Sequence, residues 1–296
     1  MRVHLVLAFV ALLWGINPPI MKIGLLYVEP MPYNTIRLLI ALLAGWPVFK
    51  RLACWQPLQR ENWKALAICS LGFFFFQFFF TLGVQYTTAG NSSLIMGCLP
   101  ISVAVINHFH KFEALSRKMF VSILVSLAGV SIMVAGTDKE FSLSGSHMLG
   151  ALMLLAAQFS YGYYTIFSRI LTNIYSAYQV TALILLLSTS LFVAVSLPTL
   201  PAADWQAVPP AGWFSILYSG LFPLCLGNCL WIWGAKILGS TKASLYNNLP
   251  PVFAVSAGYL FLREPFGLLQ LAGAVIIFGG LCLARDTKAA LRRDNL

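Results

Sequence analysis

Two amides and a set of aromatic rings carry most of the chemistry legible in this chain. Gln77 and Asn228 lie 151 residues apart, each deep in an apolar run. A neutral amide in hydrocarbon needs hydrogen-bond partners, so each is expected to face the protein interior or a wetted cavity, contacting a solute or bridging packed helices. On a repeat they are expected to face each other. The same offset places Phe80 on Trp231, one helical turn beyond the amides, and an offset of 147 places Trp14 on Tyr161 and Asn17 on Tyr164. Trp14 and Asn17, like Tyr161 and Tyr164, are spaced i, i+3, which puts each pair on one helix face. Rings with polar handles can sandwich an amphipathic solute or attract a cation through their π faces. Tyr246 and Asn247, just before Pro250-Pro251, complete the candidate substrate-binding set.

The charged residues suggest different work. Arg37, a few residues into the second apolar run, could grip a substrate carboxylate bidentately or snorkel to the headgroups. Glu113 and Glu264 superpose at the 151-residue offset and are expected at opposite membrane faces, as partners of basic groups or helix ends or as gates. Arg37, Glu113 and Glu264 are therefore the gating or structural ion-pair candidates. Pro18 and Pro19 remove two backbone donors from the first run, and a helix break is expected there. No acid lies near the middle of a run, and His4, His108, His110 and His147 are peripheral, which argues against coupling through a mid-membrane carboxylate. Six cysteines without metal-site spacing, and no nucleophile with a base, leave no expected catalytic residue, metal or cofactor.

The elements that position these residues follow from composition. Of 296 residues, 59% are hydrophobic and 9% charged, with mean hydropathy +0.81. That excludes a soluble enzyme, a secreted disulfide scaffold and a disordered chain, all of which need more polar surface. At about 20 residues per crossing, ten spans are expected: 3–26, 33–49, 63–85, 91–109, 119–135, 148–167, 177–197, 213–235, 243–262 and 266–284. The fold class is an all-α integral membrane protein, since barrel alternation is absent. The first span, led by Arg2, lacks a cleavage pattern and reads as uncleaved. Residues 1–140 and 141–296 each hold five spans, the latter with a short basic tail. An odd number inverts the second copy, so the two halves form inverted-topology repeats about an axis in the membrane plane. The net charge of +10 orients the chain rather than binding nucleic acid. With both termini cytoplasmic, all basic residues except Lys22, Arg37, Lys139 and Arg263 fall inside.

Several segments resemble the EamA-type family of the drug/metabolite transporter superfamily. They are ALLWGINPPIMKIG in the first span, Arg37 in the second, GVQYTTAGNSSLIMGCLP into the fourth, Glu113 after it and LAGVSIMV in the fifth. The second half repeats them as SYGYYTIFSRIL and TKASLYNNLPPVFAVSAGYLFLREPFGLLQLAGAVIIFGG. The HFHKF before Glu113 and the Pro18-Pro19 pair depart from the family pattern. The resemblance implies ten helices and a central cavity lined by parts of spans 1, 3, 4, 6, 8 and 9. It also implies carriage of small metabolites, often export of amino acids or their derivatives. The expected partners are a small-molecule substrate and membrane lipids, the expected location is the inner membrane, and monomer or homodimer stays open. A channel or facilitator for small neutral solutes is the alternative, and a membrane-embedded enzyme a more distant one.

Overall fold

The computed structural model describes residues 2–86, 95–135, 145–253, 256 and 267–285. Among them there is no β-strand, as hydrocarbon demands of segments that must satisfy their own backbone N–H and C=O groups. Helix α1 (Arg2–Leu25) turns through Tyr27 and Val28, whose N–H groups both bond to the Gly24 carbonyl at 3.1 Å, into α2 (Pro30–Leu52). Pro30 opens α2 where its missing N–H has no intrahelical acceptor to lose. A 3₁₀ turn (Arg60–Asn62) leads into α3 (Trp63–Tyr86), and α4 (Leu99–His110) ends at Lys111, whose φ of 57° is left-handed. Helix α5 (Arg117–Ala135) precedes the second half.

That half comprises α6 (Gly145–Leu171), α7 (Ala177–Ser196) and α8 (Pro210–Ser219). From α8 the chain runs through a π-helical segment (Gly220–Gly227) into α9 (Asn228–Leu238). Gly239, at φ 89°, separates α9 from α10 (Ser240–Leu245), a 3₁₀ turn (Tyr246–Asn248) follows, and α11 (Leu268–Arg285) is last. Four described stretches, 60–83, 117–135, 177–196 and 210–238, have both the length and the hydropathy of a bilayer crossing. Helix α2 carries the buried polar groups Asn34, Thr35 and Arg37 within its length, which lowers its apolar character without exposing charge.

The helices pack through small residues. A Cβ on Gly72 of α3 would lie 2.8 Å from the Ser160 carbonyl of α6, so the two backbones are in direct contact. Helices α5 and α11 touch in the same way through Gly129, Gly273 and Gly280. Helix α2 lies on α7 and on the π segment, and α1 on α8 and α9. One buried apolar core runs through both halves, from Leu7 and Val10 through Phe73, Val103 and Phe192 to Ile232. Outward, Leu43, Phe109, Leu152 and Leu268 are exposed, as lipid-facing side chains are. Of the cysteines, Cys69 and Cys229 are buried, while Cys54 and Cys282 are exposed.

The expected break at Pro18 and Pro19 is not a break: α1 is helical from Arg2 to Leu25. Proline fixes φ near a helical value, so a pair can forfeit hydrogen bonds without leaving the helix. The irregular backbone lies instead around Pro223.

Candidate functional site

Aromatic rings from both halves converge where α1, α3, α6 and α9 meet. Trp14 lies 5.0 Å, centroid to centroid, from Trp231 and 6.0 Å from Tyr161. Tyr161 lies 5.0 Å from Tyr164 and 6.0 Å from Trp231. Phe76 closes over Tyr161 at 4.4 Å, Phe80 stacks on Phe76 at 5.6 Å, and Phe73 meets Tyr164 at 5.1 Å. The structure thus brings together Trp14, Tyr161, Tyr164 and Trp231, as the two offsets suggest, and adds Phe76 and Phe73. Within the phenylalanine run of α3 no periodicity distinguishes those two from their neighbours, so only the packing picks them out.

Polar handles in the cluster are mostly tied down. The Tyr164 hydroxyl donates to Asn228 Oδ1 at 3.2 Å, Asn228 Nδ2 to the Leu224 carbonyl at 2.8 Å, and Trp231 Nε1 to Thr165 Oγ1 at 3.3 Å. The Tyr161 hydroxyl is the exception, buried with no hydrogen-bond partner among the described residues. Gln158 Oε1, one turn earlier on the same face of α6, is likewise buried without a partner among the described residues, while its amide Nε2 donates to the Met96 sulfur at 2.8 Å. Two buried polar atoms on one face of α6 thus keep unmet hydrogen-bonding capacity.

The π segment adjoins this cluster. Trp14 Nε1 donates to the Pro223 carbonyl at 3.3 Å, which ties α1 to the irregular backbone of the second half. A Cβ on Gly227 would approach Trp14 Nε1 to 3.0 Å, and one on Gly220 would lie 2.7 Å from the Arg37 carbonyl. Both ends of the segment are therefore pressed by α1 and α2. Such π turns inside α-helices occur frequently at functional sites. In the sequence the only sign is the spacing of Gly220, Pro223 and Gly227.

Arg37 does not snorkel. Its side chain is 2% exposed, held by Nε to Asn34 Oδ1 at 2.7 Å, Nη2 to Gln77 Oε1 at 2.9 Å and Nη1 to the Met21 sulfur at 3.3 Å, beside the Tyr33 ring at 5.7 Å. Thr81 accepts from Asn34 and donates to the Gln77 carbonyl at 2.8 Å. Gln77 and Asn228 do not pair across the halves, because each has a nearer partner: Arg37 for the first, Tyr164 for the second. Asn17 accepts from Ser219 Oγ at 2.8 Å, and Ser219 and Ser215 flank the Tyr33 hydroxyl at 3.1 and 2.9 Å. The i, i+4 pair Ser215/Ser219 and the Tyr33-Asn34-Arg37 stripe were readable on helical spacing, yet the sequence alone offered no partner for them.

Glu113 is bound on all sides. It pairs with Arg169 at the end of α6, and it accepts from Ser240 N at 2.8 Å, Ser240 Oγ at 2.7 Å, Thr241 N at 3.1 Å and Thr241 Oγ1 at 2.7 Å. Burial alone would raise this carboxyl, but Arg169 and the Ser240 and Thr241 donors outweigh it and hold the group below the usual carboxylate range. Asn107 Nδ2 braces the same serine and threonine at 3.0 Å. Tyr246 bonds to His4, and Asn247 Nδ2 to the Met96 carbonyl at 2.9 Å. Glu264 lies outside the described residues, as do the side chains of Pro18 and Pro19.

Known proteins resemble the chain along most of its length. In Bacillus subtilis (strain 168) the "Uncharacterized transporter YoaV" is 26% identical, covering 95% of this chain and 95% of its own, and YvbV, also named an uncharacterized transporter, is 26% identical over 98% and 93%. The "WAT1-related protein At3g02690, chloroplastic" of Arabidopsis thaliana is 28% identical over 89% of this chain and 64% of its own. A solved structure titled "Crystal structure of protein" superposes with TM-score 0.79 at 18% identity over 94% of this chain and 95% of that one, which shows a shared fold. The relatives named as transporters and the apolar helices support a multi-pass membrane transporter. The model of the EamA-like transporter family matches residues 1–135 and 148–285, and the chain belongs to that family.

Proposed function

We propose that this transporter carries a small amphipathic metabolite, an amino acid or a derivative of one, outward across the inner membrane by alternating access. The ring cluster carries the reading: it is built by α1 and α3 from one half and α6 and α9 from the other, around the orphaned Tyr161 hydroxyl. A site shared by two halves can be opened to either side by rocking one against the other. Ten spans in two inverted five-helix repeats, with cytoplasmic termini, suit this mechanism. The packing pattern supports the repeat, since exchanging the halves maps its main helix pairs onto one another. The third span lies on the sixth as the first lies on the eighth, the second on the seventh, and the fifth on the tenth. Trp14, Asn17, Gln77, Phe80, Tyr161, Tyr164, Asn228 and Trp231 form the proposed substrate surround, with Tyr246 and Asn247 at its edge.

Counterflow in proteoliposomes tests the mechanism. Vesicles preloaded with unlabelled solute should take up the labelled form faster than empty ones, and uptake should saturate. Flux linear in concentration, without stimulation from the far side, would replace the carrier with a channel.

A further inference from the structure

We infer that Arg37 is the receptor for a carboxylate on the transported solute, so that the substrate is an acid or zwitterion with an apolar body. The inference rests on the transport reading and narrows its substrate. Arg37 sits seven residues into α2, about 10 Å along the helix axis at 1.5 Å per residue. It is 2% exposed, and its guanidinium is charged at neutral pH. Among the described residues no carboxylate lies within ion-pair distance of it, and its partners are an amide oxygen from Asn34, another from Gln77, and a thioether. A guanidinium offers five N–H donors in a fork shaped for two carboxylate oxygens. Here Nη1 spends its contact on the Met21 sulfur, a weak acceptor that a carboxylate would displace.

A buried charge without a counterion is costly in a membrane and marks a functional site by default. The residues around Arg37 hold it in place without neutralising it. Asn34 is itself held by Thr81, and Gln77 presents its oxygen rather than a charge. The same helices lead to the ring cluster: Met21 follows Trp14 by seven residues on α1, about 10 Å of rise, and Gln77 follows Phe73 by one turn on α3. An acid gripped at Arg37 could thus place its apolar body toward the rings. The Arg37 carbonyl also lies against Gly220, so a ligand that moves α2 presses on the π segment.

The test uses purified protein in phosphatidylcholine nanodiscs and three matched probe pairs: L-phenylalanine, L-leucine and 3-phenylpropionate, each beside its primary amide. Thermal stability and tryptophan fluorescence are read together. At least one acid should stabilise the wild type with an affinity ten-fold or more above that of its amide. Gln77→Glu places an internal carboxylate beside Arg37; this variant should melt at or above the wild-type temperature and lose the acid preference. Arg37→Lys keeps the charge but not the fork, and should cut the preference for acid over amide by ten-fold. Acid and amide binding equally, no acid binding at all, or Gln77→Glu retaining the preference would each overturn the inference. Stabilisation by added phosphatidylglycerol with no response to soluble acids would assign Arg37 to a lipid headgroup and overturn it too. Counterflow decides the transport reading separately: saturable trans-stimulated uptake of the amides alone would sustain the carrier and remove the carboxylate.

Discussion

The hydroxyl of Tyr161 makes a prediction that separates binding from folding. It is buried without a partner among the described residues, so removing it relieves a desolvation cost of about 1–3 kcal/mol. Tyr161→Phe is expected to melt at or above the wild-type temperature while transport affinity falls about ten-fold; a loss of stability would show that the hydroxyl has a structural partner. Glu113 makes the opposite prediction. Its folded-state carboxyl is held low, so its contribution to stability is complete above the unfolded value of about 4.3 and is lost as pH falls through the folded value. The apparent melting temperature should therefore drop on acidification below about pH 4, and Glu113→Gln should flatten that part of the profile. The same variant leaves Arg169 without its counter-charge in a part-buried pair, at a cost of about 1–3 kcal/mol. Unchanged melting of Glu113→Gln at neutral pH would remove Glu113 as a tie between the loop after α4, the end of α6 and the start of α10.

The π segment is the element on which the two halves lean. Glycine at 220 is required by close approach rather than by conformation: its Cβ would meet the Arg37 carbonyl at 2.7 Å, and a main-chain atom cannot swing away. Gly220→Val should push α2 off the segment and cost about 1–3 kcal/mol as overpacking, read as a lower melting temperature in detergent. Trp14→Phe is milder, keeping a ring in the cluster but releasing the Pro223 carbonyl. Its expected signature is a changed counterflow rate with near-wild-type stability; an unchanged rate would mean that the indole N–H does not steady the segment. Proline positions alone misplace the irregularity: α1 carries two adjacent prolines and stays helical, whereas one proline between two glycines accompanies the π segment. The difference lies in the neighbours, since α1 and α2 pack against the glycines and so define the local backbone.

For the whole molecule, the proposed inversion fixes which loops share a side. Single cysteines introduced at Asp204 and at Glu61, both in exposed connections, should label from opposite sides of an intact membrane with an impermeant maleimide. The background is a variant without native cysteines, because Cys54 and Cys282 are exposed. Labelling of both from one side would refute the odd number of spans between them.

Composition and apolar run length by themselves determined a helical membrane protein, because hydrocarbon admits few other ways to satisfy a backbone. Two fixed offsets pointed to Trp14, Tyr161, Tyr164 and Trp231, whose rings the fold brings within 5.0–6.0 Å of their neighbours in the cluster. Partners were a different matter. Arg37 reads from the sequence as a residue near a helix end, and only the fold buries it against Gln77 and Asn34. Gln77 and Asn228 read as a pair, and only the fold separates them, each to a nearer partner. Helical periodicity states which face a side chain lies on, but which other helix meets that face depends on packing between distant segments, and in this chain that packing turns on glycines that let backbones touch.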